Sequence, residues 1–381
     1  MKFIHLSDLH IGKHVNGFSM LENKDQQYIL DEILKIIKSE APDAVIIAGD
    51  VYDRSLPPTE AVTELDEFIF RLSEEDFDTF IISGNHDSAE RLAFGSRIMA
   101  KNGIHISPVY SGVVEPVPVR DDFGEVNVYM LPFIKPFHVR HYFPDKAEEI
   151  NTYSDALETA IEHMNVDTSK RNIIVSHQFV TGAETSDSET SVGGTDNVDC
   201  TVYDPFDYVA LGHIHSPQKI NGIEHIRYCG TPLKYSFSEK KDKSVTVVEM
   251  AEKGKPVVIR EIPLKPLRDM RIITGLFDEL CRDSLKSDDY ICAVLTDDYE
   301  VRNAMGKLRT VYPNIMELRY SRNESINPNT PVTNVDVEKK NSLELFGDFF
   351  KMKQGRELNE EERAYMDKLI SEIEEEENAT D

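Results

Sequence analysis

The sequence predicts an α/β protein in which a parallel sheet covered by helices packs against a second sheet. Two patterns predict this. The first part of the chain alternates short β-rich runs with amphipathic helical stretches, and the region after it keeps the β-rich runs with few helices between them. A third pattern adds a second, smaller domain, because the alternation restarts around Pro263 to Arg268.

Taken in order, "KFIHLSD" reads as a strand running into a loop, and "QQYILDEILKIIKSE" repeats apolar residues at helical spacing. "DAVIIAGD" is a buried strand, "AVTELDEFIFRLSEE" a helix, and "FDTFIISGNHD" a strand followed by a loop. A β-α-β-α-β start implies parallel strands, whose ligands collect beyond their carboxyl ends. "NVYMLPF", "RNIIVSHQF", "FDYVALGHIH", "IEHIRYCGTP" and "KSVTVVEM" supply the second sheet. A small α/β unit follows, from "RIITG", "LFDELCRDSLK", "YICAVLT", "YEVRNAMGKLRTVY" and "IMELRYS". "RNESINPNTPVTN" has the composition of a linker. Two short helices and the acidic "SEIEEEENATD" end the chain. The expected boundaries are 1–265 for the main domain, 266–322 for the α/β unit, 323–341 for the linker and 342–381 for the helical segment.

The 381 residues suit two domains with an appendage, and 40% hydrophobic residues suffice for a large core. No run approaches the ~20 apolar residues of a membrane span, and "MKFIHLSDLH" carries no signal-peptide core. Cys200, Cys229, Cys281 and Cys292 form no CxxC pair, which fits a reducing cytoplasm and argues against a zinc ribbon. A net charge of −27 speaks against a basic nucleic-acid-binding surface. Carboxylates gathered around divalent cations, however, are locally neutral or positive whatever the formal count.

Five segments end their strands in metal-type ligands: "SDLH" (Asp8, His10), "AGDVYD" (Asp50), "SGNHD" (Asn85, His86), "VSHQ" (His177) and "GHIH" (His213, His215). Residues two apart on an extended chain point the same way, so Asp8 and His10, like His213 and His215, converge on one spot. Gly49, Gly84 and Gly212 each precede a ligand and allow close backbone approach. One such histidine alone is ordinarily a hydrogen-bonded structural residue; five motifs in series at strand ends are informative. Carboxylate, imidazole and amide oxygen without thiolate suit Mn²⁺, Fe²⁺ or Zn²⁺. Seven ligands exceed the needs of one ion, which points to two ions sharing a carboxylate, with Asp50 as the bridge. Two metals ~3.5–4 Å apart clamp an in-line phosphoryl displacement, so the expected chemistry is hydrolysis of a phosphate ester. Asp87 has two readings: as N-cap of the next helix, with Glu90 three residues on, or as a group orienting His86. The other seven histidines (His5, His14, His105, His138, His141, His163 and His225) receive no role.

Together DxH, GDxxD, GNHD, a lone His and GHxH resemble the calcineurin-like metallophosphoesterase superfamily. "SHQFVTGAETSDSETSVGGTDNVD", "YVALGHIHSPQ" and "RYCGTPLKYSFSE" look like the SbcD family of bacterial nuclease subunits within it. The resemblance implies a four-layer αββα core, a small α/β capping domain and a C-terminal helical segment. It also implies a homodimeric Mn²⁺-dependent nuclease, exonucleolytic from the 3′ end of duplex DNA and endonucleolytic on single strands and hairpins. One ion would be held by Asp8, His10, Asp50 and His215, the other by Asp50, Asn85, His177 and His213. His86 would serve the departing 3′ oxygen as general acid. Asp53 departs from archaeal relatives, which carry a histidine there; support of a ligand histidine is the role left for it.

In the tail, Leu343, Phe346 and Phe350 form one apolar stripe, and Tyr365, Leu369 and Ile373 lie on another. A two-helix unit after a polar linker buries little by itself, so docking on a partner is expected. The resemblance makes that partner an SMC-like ATPase, which would also help hold the DNA. Two alternatives stay open on sequence alone: a small-nucleotide phosphodiesterase or phosphatase of the same superfamily, and a non-catalytic scaffold on the same fold.

Overall fold

A computed structural model describes residues 1–187, 189, 197–321, 346–347, 350, 356–359, 362–366 and 368–369. Residues 1–270 and 271–381 are separate compact units.

The first unit holds two six-stranded sheets. In one the order is Val258–Pro263, Ser244–Glu249, Lys2–Leu6, Ala44–Ala48, Asp78–Ile82 and Ile104–Ile106. The last four of these run parallel, and the other two add an antiparallel edge. The other sheet runs Gln218–Ile220, Ile223–Tyr228, Tyr208–Gly212, Arg171–His177, Gly124–Met130 and Val117–Asp121. Its central four strands are parallel, and a hairpin-like antiparallel strand closes each edge. The expected parallel sheet therefore describes the centres and the Ile104–Ile106 rim, but not the other rims.

Side-chain alternation explains the layers. Phe3, Ala44, Ile46, Ala48, Phe80 and Ile82 of one sheet pack with Val126, Val128, Met130, Ile173, Val175, Tyr208 and Ala210 of the other. Their neighbours Ile4, Val45, Ile47 and Ile81, on the opposite face, are also fully buried. The helices Asp25–Glu40 and Thr59–Ser73 bury Ile29, Ile33 and Ile37, and Leu65, Phe68 and Leu72. Behind the second sheet, Ile174, Val209 and Leu211 pack with Val139, Leu157 and Ile161. Each such buried Val, Leu, Ile, Met or Phe side chain contributes about 1.5–3 kcal/mol. The result is the four-layer αββα order.

Two helices here, Pro136–Tyr142 and Tyr153–Glu162, are not predicted by periodicity. The first is too short to show a period. The second announces itself through its cap: Thr152 Oγ1 accepts the Asp155 N–H at 3.1 Å, and Asp155 Oδ2 accepts the Thr152 N–H at 2.8 Å.

The second unit carries a three-stranded sheet, ordered Met270–Gly275, Tyr290–Leu295, Ile315–Tyr320. Phe277, Leu280, Ile291, Leu295, Leu308 and Ile315 form its core. Its helices are shorter than expected. "YEVRNAMGKLRTVY" is α-helical only over Ala304–Leu308, because Asn303 takes a left-handed φ of 55° that bars helix before it. "LFDELCRDSLK" contains Phe277–Leu280 and a 3-10 turn at Asp283–Leu285.

The linker 323–341 lies outside the described residues, as do Leu343 and Ile373. Phe346, Phe350, Tyr365 and Leu369 have helical backbone, with Tyr365 68% and Leu369 37% exposed. Among the described residues no helix is long and apolar enough to cross a membrane.

Candidate metal centre

Parallel strands present their carboxyl ends on one side, and all five motifs follow such ends: Leu6, Ala48, Ile82, His177 and Gly212. The structure brings all seven candidate ligands together. His10 Nε2 lies 3.2 Å from His215 Nε2, and Asn85 Oδ1 lies 3.0 Å from both His177 Nε2 and His213 Nδ1. Asp50 stands between these pairs, its Oδ2 at 3.6 Å from His10 Nε2 and 3.3 Å from His177 Nε2. Asp8 accepts the His213 N–H at 3.0 and 3.1 Å and the Ser7 hydroxyl. Among the described residues, three sets have ligand atoms within 4.8 Å of one another: Asp8, His10 and His215; His10, Asp50 and His86; and Asp8, Asp50 and His177.

The backbone is bent to achieve this. Asp8, His10, Asp50 and His213 all have positive φ, at 52°, 45°, 47° and 104°. Such conformations cost about 1–3 kcal/mol each and persist where surrounding structure imposes them. The glycines explain the packing. A Cβ on Gly49 would sit 2.3 Å from His177 Nδ1, one on Gly84 2.1 Å from Asp50 Oδ1, and one on Gly212 1.7 Å from the Ala48 carbonyl oxygen.

Burial dominates the electrostatics of Asp8, His10 and His213. Burial pushes the Asp8 carboxyl up to about 6. Burial likewise drives His10 well below its ordinary value and His213 down to about 3. Burial opposes charge on Asp50 and His177 too, but their mutual attraction outweighs it. Asp50 is held well below the carboxylate range, and His177 rises to about 9. His10 Nδ1 is buried without a hydrogen-bond partner. Facing imidazole nitrogens at 3.2 Å cannot both carry hydrogen, so at least one lone pair points at the other ring. Oxygen and imidazole donors, two buried carboxylates and the facing Nε2 atoms of His10 and His215 together fit divalent metal ions.

His86 is half-buried beside this cluster. Its N–H donates to Asp50 Oδ1 at 2.9 Å, and its ring Nδ1 donates to the Asp53 carbonyl oxygen at 2.9 Å. The Asp53 carboxylate sits 3.7 Å from His10 Nδ1 and 2.7 Å from Lys13 Nζ. Asp87 makes neither of the expected contacts. Ser88, not Asp87, caps the helix Ala89–Leu92. Asp87 instead accepts the N–H groups of Val51 (3.0 Å), Tyr52 (2.8 Å) and Gly84 (2.9 Å), clasping the Asp50 loop to the Asn85 loop.

Several supporting residues leave little trace in the sequence. Glu239, buried, places Oε1 3.5 Å from His215 Nδ1 and pairs with buried Lys243. Lys243 Nζ donates to the His215 carbonyl at 2.7 Å. Glu189 accepts the His215 N–H at 2.6 Å. Gln26 Nε2 donates to the His10 carbonyl at 2.7 Å, and the Tyr235 hydroxyl donates to that of Leu9 at 2.7 Å. Glu239 and Lys243 lie in "SEKKDK", which reads as solvated surface; only their four-residue spacing hints at a pair.

Residues 1–217 match the model of the calcineurin-like phosphoesterase family, and residues 266–354 match that of the type 5 capsule protein repressor C-terminal domain. The chain is 34% identical over 380 residues to the SbcD subunit of the nuclease SbcCD from Staphylococcus epidermidis, covering 97% of this chain and 98% of that one. It is 34% identical over 387 residues to the SbcD subunit from Staphylococcus saprophyticus, covering 99% of each. Among solved structures, a dimetal phosphatase from Danio rerio aligns over 70% of this chain and 98% of its own, at 11% identity and a TM-score of 0.43. The chain belongs to the calcineurin-like phosphoesterases and, within them, to the family of SbcD nuclease subunits.

Proposed function

We propose that this protein is a metal-dependent DNA nuclease that works with an SMC-like ATPase subunit in processing DNA ends. The reading gives it 3′-to-5′ exonuclease action on duplex ends and endonuclease action on single strands and hairpins. One observation carries it: five strand ends gather seven oxygen- and nitrogen-bearing candidate ligands, Asp50 and six others beside it. The relatives' names supply the nuclease and its complex.

Asp8, His10, Asp50 and His215 would hold one divalent ion, and Asp50, Asn85, His177 and His213 the other, with Mn²⁺ the expected metal. When bound, such ions polarise the phosphoryl group and make water a nucleophile near neutral pH. The chain's own groups do the rest. The Asp53 carbonyl fixes one ring nitrogen of His86 and leaves Nε2 to hold a proton for the departing oxygen. As water oxygen bonds to phosphorus, the P–O3′ bond breaks and the 3′ oxygen takes that proton. Asp87 keeps the His86 and Asp50 loops in register.

The test is Mn²⁺-dependent release of nucleotides from linear duplex by the purified chain, alone and with its ATPase. Hydrolysis of bis-p-nitrophenyl phosphate without any of DNA would instead indicate a small-nucleotide enzyme, and absence of bound metal a scaffold.

Glu239→Gln removes the charge behind His215 while keeping its shape. It is expected to weaken metal binding by about 10–100-fold, read by titration calorimetry with Mn²⁺. An unaltered affinity would make Glu239 a purely structural partner of Lys243. The exposed Tyr365 and Leu369 support docking of the tail on the ATPase. Deleting residues 336–381 should therefore spare hydrolysis of the small ester but abolish co-purification with the ATPase; persistence of the complex would refute the assignment. The homodimer is tested by sedimentation, where a monomer mass would count against it.

A further inference from the structure

A cavity of about 740 Å³ opens beside the metal centre, with Gly84, Asn85 and Asp87 in its wall. Its other lining includes Tyr110, Phe133, Lys135, Phe137, His141 and Tyr142. None of the last six has a part in the chemistry derived above. Phe137 and Tyr142 are 57% and 43% exposed, and the Tyr142 ring meets Tyr110 edge-on at 5.8 Å. Phe133 reaches toward the centre, its ring 6.3 Å from that of His177. Lys135 Nζ lies 5.9 Å from the Phe133 ring centroid, with the side chain in solvent.

We propose that this cavity seats an unpaired nucleotide next to the scissile phosphodiester, its base against the Phe137 and Tyr142 rings and a neighbouring phosphate near Lys135. The proposal rests on the nuclease reading and adds to it a subsite and a strand preference. The size is that of a site for one small ligand, not for a duplex. Exposed rings with a nearby cation are the means by which proteins hold single strands without reading sequence. A paired base, stacked inside a duplex, offers no free face to these rings. Stacking also needs no broad basic surface, which suits a chain of net charge −27. Continuity with Asn85 keeps the strand's backbone within reach of the metal ligands.

The experiment compares KM for a fluorescein-labelled oligothymidine with KM for bis-p-nitrophenyl phosphate, in Mn²⁺, for the full chain. Phe137→Leu and Tyr142→Leu keep apolar volume but lose the stacking face. Each is expected to raise the oligothymidine KM about tenfold relative to that of the ester, and Phe137→Trp to restore it. Lys135→Ala, on an exposed side chain, is expected to reduce the salt dependence of oligothymidine binding by about one unit of slope. An unchanged KM ratio in both leucine variants overturns the proposal. So does loss of ATPase binding in their place, which would make the cavity a protein-docking surface. A wild-type chain inert toward DNA defeats the nuclease reading itself, whereas DNA cleavage indifferent to these variants defeats only the subsite.

Discussion

Asp50→Ala is expected to remove bound metal and hydrolysis together. Its Oδ2 is 3.6 Å from His10 Nε2 and 3.3 Å from His177 Nε2, so one deletion takes a ligand from each half of the cluster. The loss should be at least ~10³-fold in kcat/KM, since Lewis acidity worth several kcal/mol disappears. Removing the carboxylate also takes away the strongest attraction that raises His177, leaving only Asp8 and the Ala48 carbonyl to oppose the effect of burial. Asp50→Asn provides the control for folding, because it keeps an acceptor for the His86 N–H. Elemental analysis alongside the assay reads the result. Retention of both ions in Asp50→Ala would refute the bridging role.

His86→Ala is expected to behave in the opposite way, keeping metal content while hydrolysis of DNA falls by about 10²–10⁴-fold. His86 belongs to one of the three ligand-distance sets, with His10 and Asp50, so the prediction is a sharp one. Its ring is tied to the Asp53 carbonyl at 2.9 Å and stands edge-on to His10 at 4.9 Å. In the proposed mechanism a ring so anchored serves the leaving oxygen and contributes no metal bond. Loss of an ion in His86→Ala would make it a ligand and return the general acid to an unidentified group. The backbone N–H of residue 86 still reaches Asp50 in this variant, so the Asp50 loop should keep its shape.

The candidate ligands are legible in the sequence because each sits at the junction of two local signals, an apolar strand and an abrupt polar tip. Asp8 and His10 after "KFIHLS", or His213 and His215 after "YVALG", need no tertiary knowledge to stand out. The glycines are legible for the same reason, and the contacts a Cβ would make at Gly49, Gly84 and Gly212 give them their physical cause. What stays hidden depends on distant partners. Asp87 fits a local N-cap pattern, yet its carboxylate is taken by backbone N–H groups 35 and 36 residues away. Glu239 and Lys243 are polar residues in a polar run, and only the fold buries them behind His215. The helix Pro136–Tyr142, which lines the proposed strand subsite, is too short for helical periodicity to emerge. In the second unit the helical pattern is present, but a single left-handed residue, Asn303, cuts it short.

Anomalous diffraction from crystals grown with Mn²⁺ would locate the ions themselves. Two peaks are expected ~3.5–4 Å apart, flanking the Asp50 carboxylate. Asp8, His10 and His215 should surround one, and Asn85, His177 and His213 the other. A single peak, or two that do not share Asp50, would rule out the bridged pair on which the proposed hydrolysis depends.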